Sequence, residues 1–145
     1  MTDRARPRRL IGLARAAALA LVVAACGAAG PSAAPSTTAS TLAALVSVAE
    51  ADRLRTVGAL VLDVREPSEW AAGHIDGATL IPLGTLSGRL GEVPRDRSIV
   101  VVCHSGNRSA QGRDILIAAG FASVTSMDGG MTAWLAEGRP VVTGS

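Results

Sequence analysis

The run Ser98-Ile99-Val100-Val101-Val102 constrains the fold more than any other segment. It is short, uncharged and rich in β-branched residues, the signature of a strand rather than a helix. Its apolar character is continuous instead of alternating, so both faces are covered, as in a parallel sheet. Cys103-His104-Ser105-Gly106-Asn107-Arg108-Ser109 follows at once. A helical pattern then runs from Ser109 to Ala119, with Gly120 as its left-handed terminator. The order is strand, loop, helix, and the cysteine stands where the strand stops.

A loop in that position has a definite chemistry. The helix behind it aims N-terminal N–H groups at it, which stabilises negative charge there by roughly 0.3–2 kcal/mol. Small and polar residues let the loop turn its own N–H groups inward. Gly106 is free to take positive φ, and Asn107 tolerates it. A cysteine in such a cradle ionises more readily, and the thiolate is the nucleophile. Arg108 adds a fixed positive charge with bidentate geometry. Cys103 and Arg108 are therefore the candidate catalytic residues. His104, Ser105, Gly106, Asn107 and Ser109 form the candidate substrate-binding loop. Arg108 has two readings, contact with an anionic substrate or a salt bridge to Glu69 or Asp63, and its five donors allow both. His104 is read as lining the mouth, because a thiolate already activated by its cradle needs no base.

Strands and helices alternate through the rest of the domain. Strands are expected at Val46–Val48, Ala59–Val64, Thr79–Ile81 and Ser123–Ser126. Helices are expected at Ala49–Val57, from Pro67 to near Gly73, at Thr85–Leu90 and at Thr132–Glu137. Pro67 fits the first turn of its helix, where a missing N–H costs nothing. This alternation predicts an α/β fold of three layers, with a mostly parallel central sheet of about five strands and helices on both faces. Ligands in such sheets bind beyond the carboxyl ends of the strands, which is where Cys103 stands. With two Trp, one Phe and no Tyr, aliphatic side chains must fill the core, and Trp70 and Trp134 are expected to plug it. His74 reads as a turn residue and Gly129-Gly130 as a tight turn.

The formal charge of +2 is unevenly distributed. Every basic residue is an arginine. Five of the 14, and one of the 12 acids, precede Cys26, leaving nine arginines against eleven acids from there on. The domain has no basic stripe, so no nucleic-acid partner is expected. Met1–Arg9 is basic and Ala16–Ala25 is an apolar run of ten residues, half of the ~20 that span a bilayer. Residues 1–25 read as an export signal. Val23-Ala24-Ala25-Cys26 resembles the lipobox of bacterial lipoproteins, which implies lipidation of Cys26. The expectation is a membrane-anchored domain on the extracytoplasmic face, with a secreted or periplasmic soluble protein as the alternative. Arg8-Arg9 leaves the twin-arginine route open beside the general one. Residues 26–41 then carry the lipidated cysteine and a tether of Ala, Gly, Pro, Ser and Thr, too poor in large apolar groups to order itself. Cys103 is left as a lone thiol, which flags reactivity. His74, His104, Cys103 and Cys26 are the whole soft-ligand inventory, so neither a metal site nor a cofactor is expected.

Four segments carry a resemblance. They are the Cys103–Ser109 loop; Leu62-Asp63-Val64-Arg65-Glu66 with Glu69 and Trp70; Gly73-His74-Ile75-Asp76-Gly77-Ala78 leading to Ile81-Pro82-Leu83; and Asp128-Gly129-Gly130-Met131-Thr132-Ala133-Trp134. In this order and spacing the chain resembles the rhodanese-like sulfurtransferases from about Leu42 to Val142, within a domain of residues 42–145. The resemblance implies a six-residue loop that fits a sulfur atom, and a Cys103 persulfide. A small anionic donor such as thiosulfate would load it, and a thiol, cyanide or a protein acceptor would empty it. It also implies that Asp63, Arg65 and Glu69 are structural supports. Cysteine-dependent phosphatases place five residues between cysteine and arginine where this chain has four, which argues against phosphatase or arsenate reductase activity. A sulfur carrier or partner-docking module without thiosulfate turnover is the second reading.

Overall fold

The computed structural model describes residues 41–144. Residues 1–25, read above as an export signal, Cys26 and nearly all of the stretch read as a tether lie outside the described residues. The apolar run forms β4 (Ile99–Val102), the middle strand of a five-stranded sheet. The other strands are β1 (Leu45–Val46), β2 (Leu60–Asp63), β3 (Thr79–Leu80) and β5 (Val124–Met127). Their spatial order is β1-β5-β4-β2-β3, and every pairing is parallel. The chain builds outward from β2 to β3, then returns to add β4 and β5 on the other side of β2. The reversal lies between β2 and β4, where open α/β sheets place their ligands. Asp63 pairs with Val102 and Val101 with Ser126, so three strand ends finish level with one another.

Parity along β4 sorts the two cores. Ile99, Val101 and Cys103 face one layer with Leu62, Val64, Leu86, Leu116 and Phe121. Val100 and Val102 face the other with Val48, Leu54, Met127, Met131 and Trp134. Val100 and Val101 are both fully buried, each contributing about 1.5–3 kcal/mol. The first layer is closed by α3 (Leu83–Leu86) and α4 (Asn107–Ala118), the second by α1 (Val48–Thr56) and α5 (Gly130–Ala136). Helix α4 presses close to the sheet at Gly112, where an added Cβ would lie 3.1 Å from Val101 and 3.3 Å from Val64. Helix α2 (Pro67–Ala72) sits at the strand ends and buries no residue of its own.

The three-layer parallel fold is as expected, and the element ends differ for local reasons. The first strand stops at Val46 because Ser47 caps α1, its Oγ accepting the Glu50 N–H at 3.2 Å. The helix expected at Thr85–Leu90 is the single turn α3, and a 3₁₀ turn at Leu90–Glu92 follows it. Helix α4 begins two residues early, so Asn107 and Arg108 belong to its first turn. Trp70 corrects the expected core: it is half-buried on α2 and stacks on His74 at 3.5 Å, outside both clusters. A six-residue helix at the sheet's end has no core for it to enter. His74 is more than a turn residue, because it pairs with Val142 in an antiparallel bridge. Trp134 does plug the core, with its indole N–H donating to the Pro140 carbonyl at 2.9 Å.

Candidate active site

Cys103 leaves β4 at the sheet's switch point with its side chain turned toward the α3–α4 layer. The loop then closes within three residues because Gly106 adopts φ +101°, a left-handed conformation that glycine takes without strain. That turn directs the Gly106 N–H onto Cys103 Sγ at 3.1 Å. Ser109, in the first turn of α4, brings its hydroxyl to 3.6 Å from the same sulfur. Burial pushes the Cys103 thiol up, and the Ser109 hydroxyl with the N–H groups of Ser109, Gly106 and Ser105 pulls it down further, leaving it below the ordinary 9.0.

Ser109 is itself held from behind. Ser126 on β5 donates to Ser109 Oγ at 2.8 Å, and Ser109 donates to the Gly106 carbonyl at 2.8 Å. Both serines are fully buried. One hydroxyl hydrogen serves one acceptor at a time. The thiol S–H faces Ser109 Oγ; a thiolate there would compete with the Gly106 carbonyl for the Ser109 hydrogen. The Ser126 hydroxyl fixes the position of that oxygen from behind. Sequence reasoning missed Ser126, which lies 17 positions from Ser109 and whose only sequence signal is its polarity, shared with Thr125, in a strand buried along its whole length.

Helix α5 clamps the loop from the other side, a second feature not foreseen. Its Met131 N–H donates to the Cys103 carbonyl at 2.8 Å, and Thr132 donates to the His104 carbonyl through N–H at 3.0 Å and Oγ1 at 2.9 Å. The approach is so close that a Cβ at Gly130 would overlap the Cys103 and His104 carbonyls. The Gly129-Gly130 turn is therefore needed for contact as well as for its positive φ.

Two arginine–carboxylate pairs line up beside the loop. Arg65 grips Asp63 through Nε at 2.8 Å and Nη2 at 2.6 Å, and also donates to the carbonyls of Glu69 and Gly73. Arg108 engages Glu69, not Asp63, at 2.8 and 2.7 Å. Glu69 Oε2 also accepts the Glu66 N–H at 3.1 Å. The Arg108 guanidinium is the main reason the Glu69 carboxyl is lowered to about 2. The same pairing raises Arg108, with Cys103 as a further negative neighbour. His104 is exposed, and its Nδ1 lies 4.0 Å from Glu69. Ser105 and Asn107 are exposed on the loop's outer surface. Among the described residues no three His, Cys, Asp or Glu side chains gather to hold a metal ion.

A cleft of about 570 Å³ opens beside the loop, walled by Ala72, Met131, Leu135 and Val141, with Glu69 and His104 at its loop end.

A parallel three-layer α/β domain with a cysteine cradled at the switch point is one recognisable class of protein. Within that class the chain belongs to the rhodanese-like domain family, whose model matches residues 47–137. It is 38% identical over 87 residues to a sulfurtransferase of Allochromatium vinosum, covering 60% of this chain and 81% of that protein. It is also 38% identical to the thiosulfate sulfurtransferase GlpE of Pseudomonas entomophila, covering 61% of this chain and 82% of that protein. Among solved structures, a rhodanese-related protein of Thermoplasma volcanium superposes with a TM-score of 0.66 at 32% identity, covering 70% of this chain and all of the other.

Proposed function

We propose that the domain is a sulfurtransferase working through a Cys103 persulfide. The observation that carries this reading is the cradle itself, in which a buried thiol accepts the Gly106 N–H and faces the Ser109 hydroxyl. The Cys103 thiolate attacks the outer sulfur of thiosulfate. The donor's S–S bond breaks and its electron pair leaves with sulfite. The loop N–H groups stabilise the charge on the transferred sulfur. A second nucleophile, cyanide or a thiol, then takes that sulfur and returns the electron pair to Cys103 Sγ. This is covalent catalysis in two halves. Arg108, held by Glu69, supplies positive potential at the loop.

The named activities of the relatives from Allochromatium and Pseudomonas support the same reading. A carrier or partner-docking role remains the alternative, and one experiment separates the two. The intact mass of the domain should rise by one sulfur atom with thiosulfate and fall back with cyanide as thiocyanate appears. Cys103→Ser should lose both changes and keep the fold. A persulfide that forms but discharges only to one protein would favour the carrier. Turnover in the serine variant would overturn the mechanism.

The reading extends to residues 1–25 as an export signal and to Cys26 as a lipid-bearing residue, which would tether the domain to the extracytoplasmic face of a membrane. Its support is the basic and apolar pattern ahead of Cys26. Metabolic labelling with a fatty acid should mark the wild type and spare Cys26→Ala; label on both would sink this part.

A further inference from the structure

The cleft beside the loop is too large and too apolar for an inorganic sulfur anion alone. Its volume of about 570 Å³ falls within the range of organic small-molecule sites, roughly 300–1,000 Å³. Its wall is chiefly apolar, from Ala72, Met131, Leu135 and Val141. Leu135 is 54% exposed there, a large aliphatic side chain without cover. The charged groups in the wall are already neutralised, Arg65 by Asp63 and Glu69 by Arg108. The wall thus offers an inorganic dianion no unpaired guanidinium. The polar groups concentrate at the loop end, where His104 directly follows Cys103. Arg65 and Thr132 also contribute to the lining, and the Thr132 hydroxyl hydrogen is committed to the His104 carbonyl.

We propose that this cleft receives the apolar body of a low-molecular-mass organic thiol, the sulfur acceptor of the reaction, with Leu135 as a specificity-determining residue. The inference rests on the persulfide reading above. The acceptor thiolate attacks the outer sulfur of the Cys103 persulfide. A new S–S bond forms to the acceptor, the Cys103–sulfur bond breaks, and its electron pair returns to Cys103 Sγ. The products are an organic persulfide and the regenerated thiolate, with no other reactant consumed. The apolar chain lies against Leu135 and Val141 while the thiol end reaches the loop past His104.

The test uses N-acetyl-, N-butyryl- and N-hexanoylcysteamine, which share one thiol group and differ only in apolar length. Cys103 is loaded with sulfur, and its discharge to each thiol is timed beside discharge to cyanide. kcat/KM should rise about tenfold or more from the acetyl to the hexanoyl compound, since each buried methylene adds affinity. In Leu135→Asp that ratio should fall to near one; Leu135→Ser provides the same readout should the aspartate variant prove unstable. Loading and cyanide discharge with no dependence on chain length would overturn this inference and spare the sulfurtransferase reading. A gradient that persists in both Leu135 variants would also overturn it. Failure to load from thiosulfate or polysulfide would overturn the sulfurtransferase reading itself.

Discussion

Asp63–Arg65 and Glu69–Arg108 are both carboxylate–guanidinium pairs with two or more short contacts, and they differ in their surroundings. The first pair is sealed, with side-chain exposures of 2% and 5%; the second is open, at 29% and 32%. Arg65 spends its remaining donors on the backbone carbonyls of Glu69 and Gly73. It therefore welds the end of β2 to α2. Arg108 reaches across 39 positions to Glu69 and leaves part of its guanidinium open to solvent beside the cysteine loop. The difference teaches that burial, more than residue type, decides whether an ion pair is a joint or a tunable charge. A sealed pair cannot lose a partner without stranding a charge, whereas an open pair can exchange its partner for water.

The largest expected effect breaks the sealed pair. Arg65→Met strands the Asp63 carboxylate and should destabilise the domain by about 3–5 kcal/mol in urea unfolding, with the double variant Asp63→Asn/Arg65→Met recovering part of the loss. Arg108→Met, at a pair open to water, should cost less, at most about 3 kcal/mol, the limit set by the return of the Glu69 carboxyl from about 2 toward 4.5. Equal losses in the two variants would show that burial does not separate the two pairs.

The open pair is sharpened by titration. NMR should find the Glu69 carboxyl titrating at about 2 and returning toward 4.5 in Arg108→Met. A depressed carboxyl stabilises the folded state above its unfolded pKa. The contribution of this pair should therefore be complete above about pH 4.5 and fade as pH falls toward 2. Cys103 follows the same sign. Its reactivity is present above its folded pKa and lost as pH falls through it, so the midpoint of its alkylation by iodoacetamide should lie below 9.0. Arg108→Met should raise that midpoint. An unchanged profile would remove Arg108 from the thiol's environment.

The smallest effect tests the hydroxyl pair behind the sulfur. Ser126→Ala removes a donor to Ser109 without touching Cys103, and should raise the same midpoint by about a few tenths of a pH unit. A merely structural serine would alter unfolding and leave the pH profile in place.

Much of this was legible in the sequence. A continuous apolar run forced a doubly covered strand, and the strand's end nominated Cys103. The arginine's partner was narrowed to two carboxylates, and the structure selects Glu69 because Asp63 is consumed by Arg65. Periodicity cannot report which elements meet at a loop, so the clamp from α5, 28 positions after His104, was invisible. Ser126 was hidden for the same reason. Trp70 failed differently, because aromatic residues are expected inside unless their helix is too short and too peripheral to have an inside.

The Gly130 approach has a consequence for motion. Because the amides of Met131 and Thr132 donate to the carbonyls of Cys103 and His104, those two protons can exchange with solvent only when α5 and the loop part. Their deuterium uptake is a clock for loop opening, readable without substrate and at single-residue resolution. A loop that yields to admit a bulky reactant would register there first, before any bond to sulfur forms.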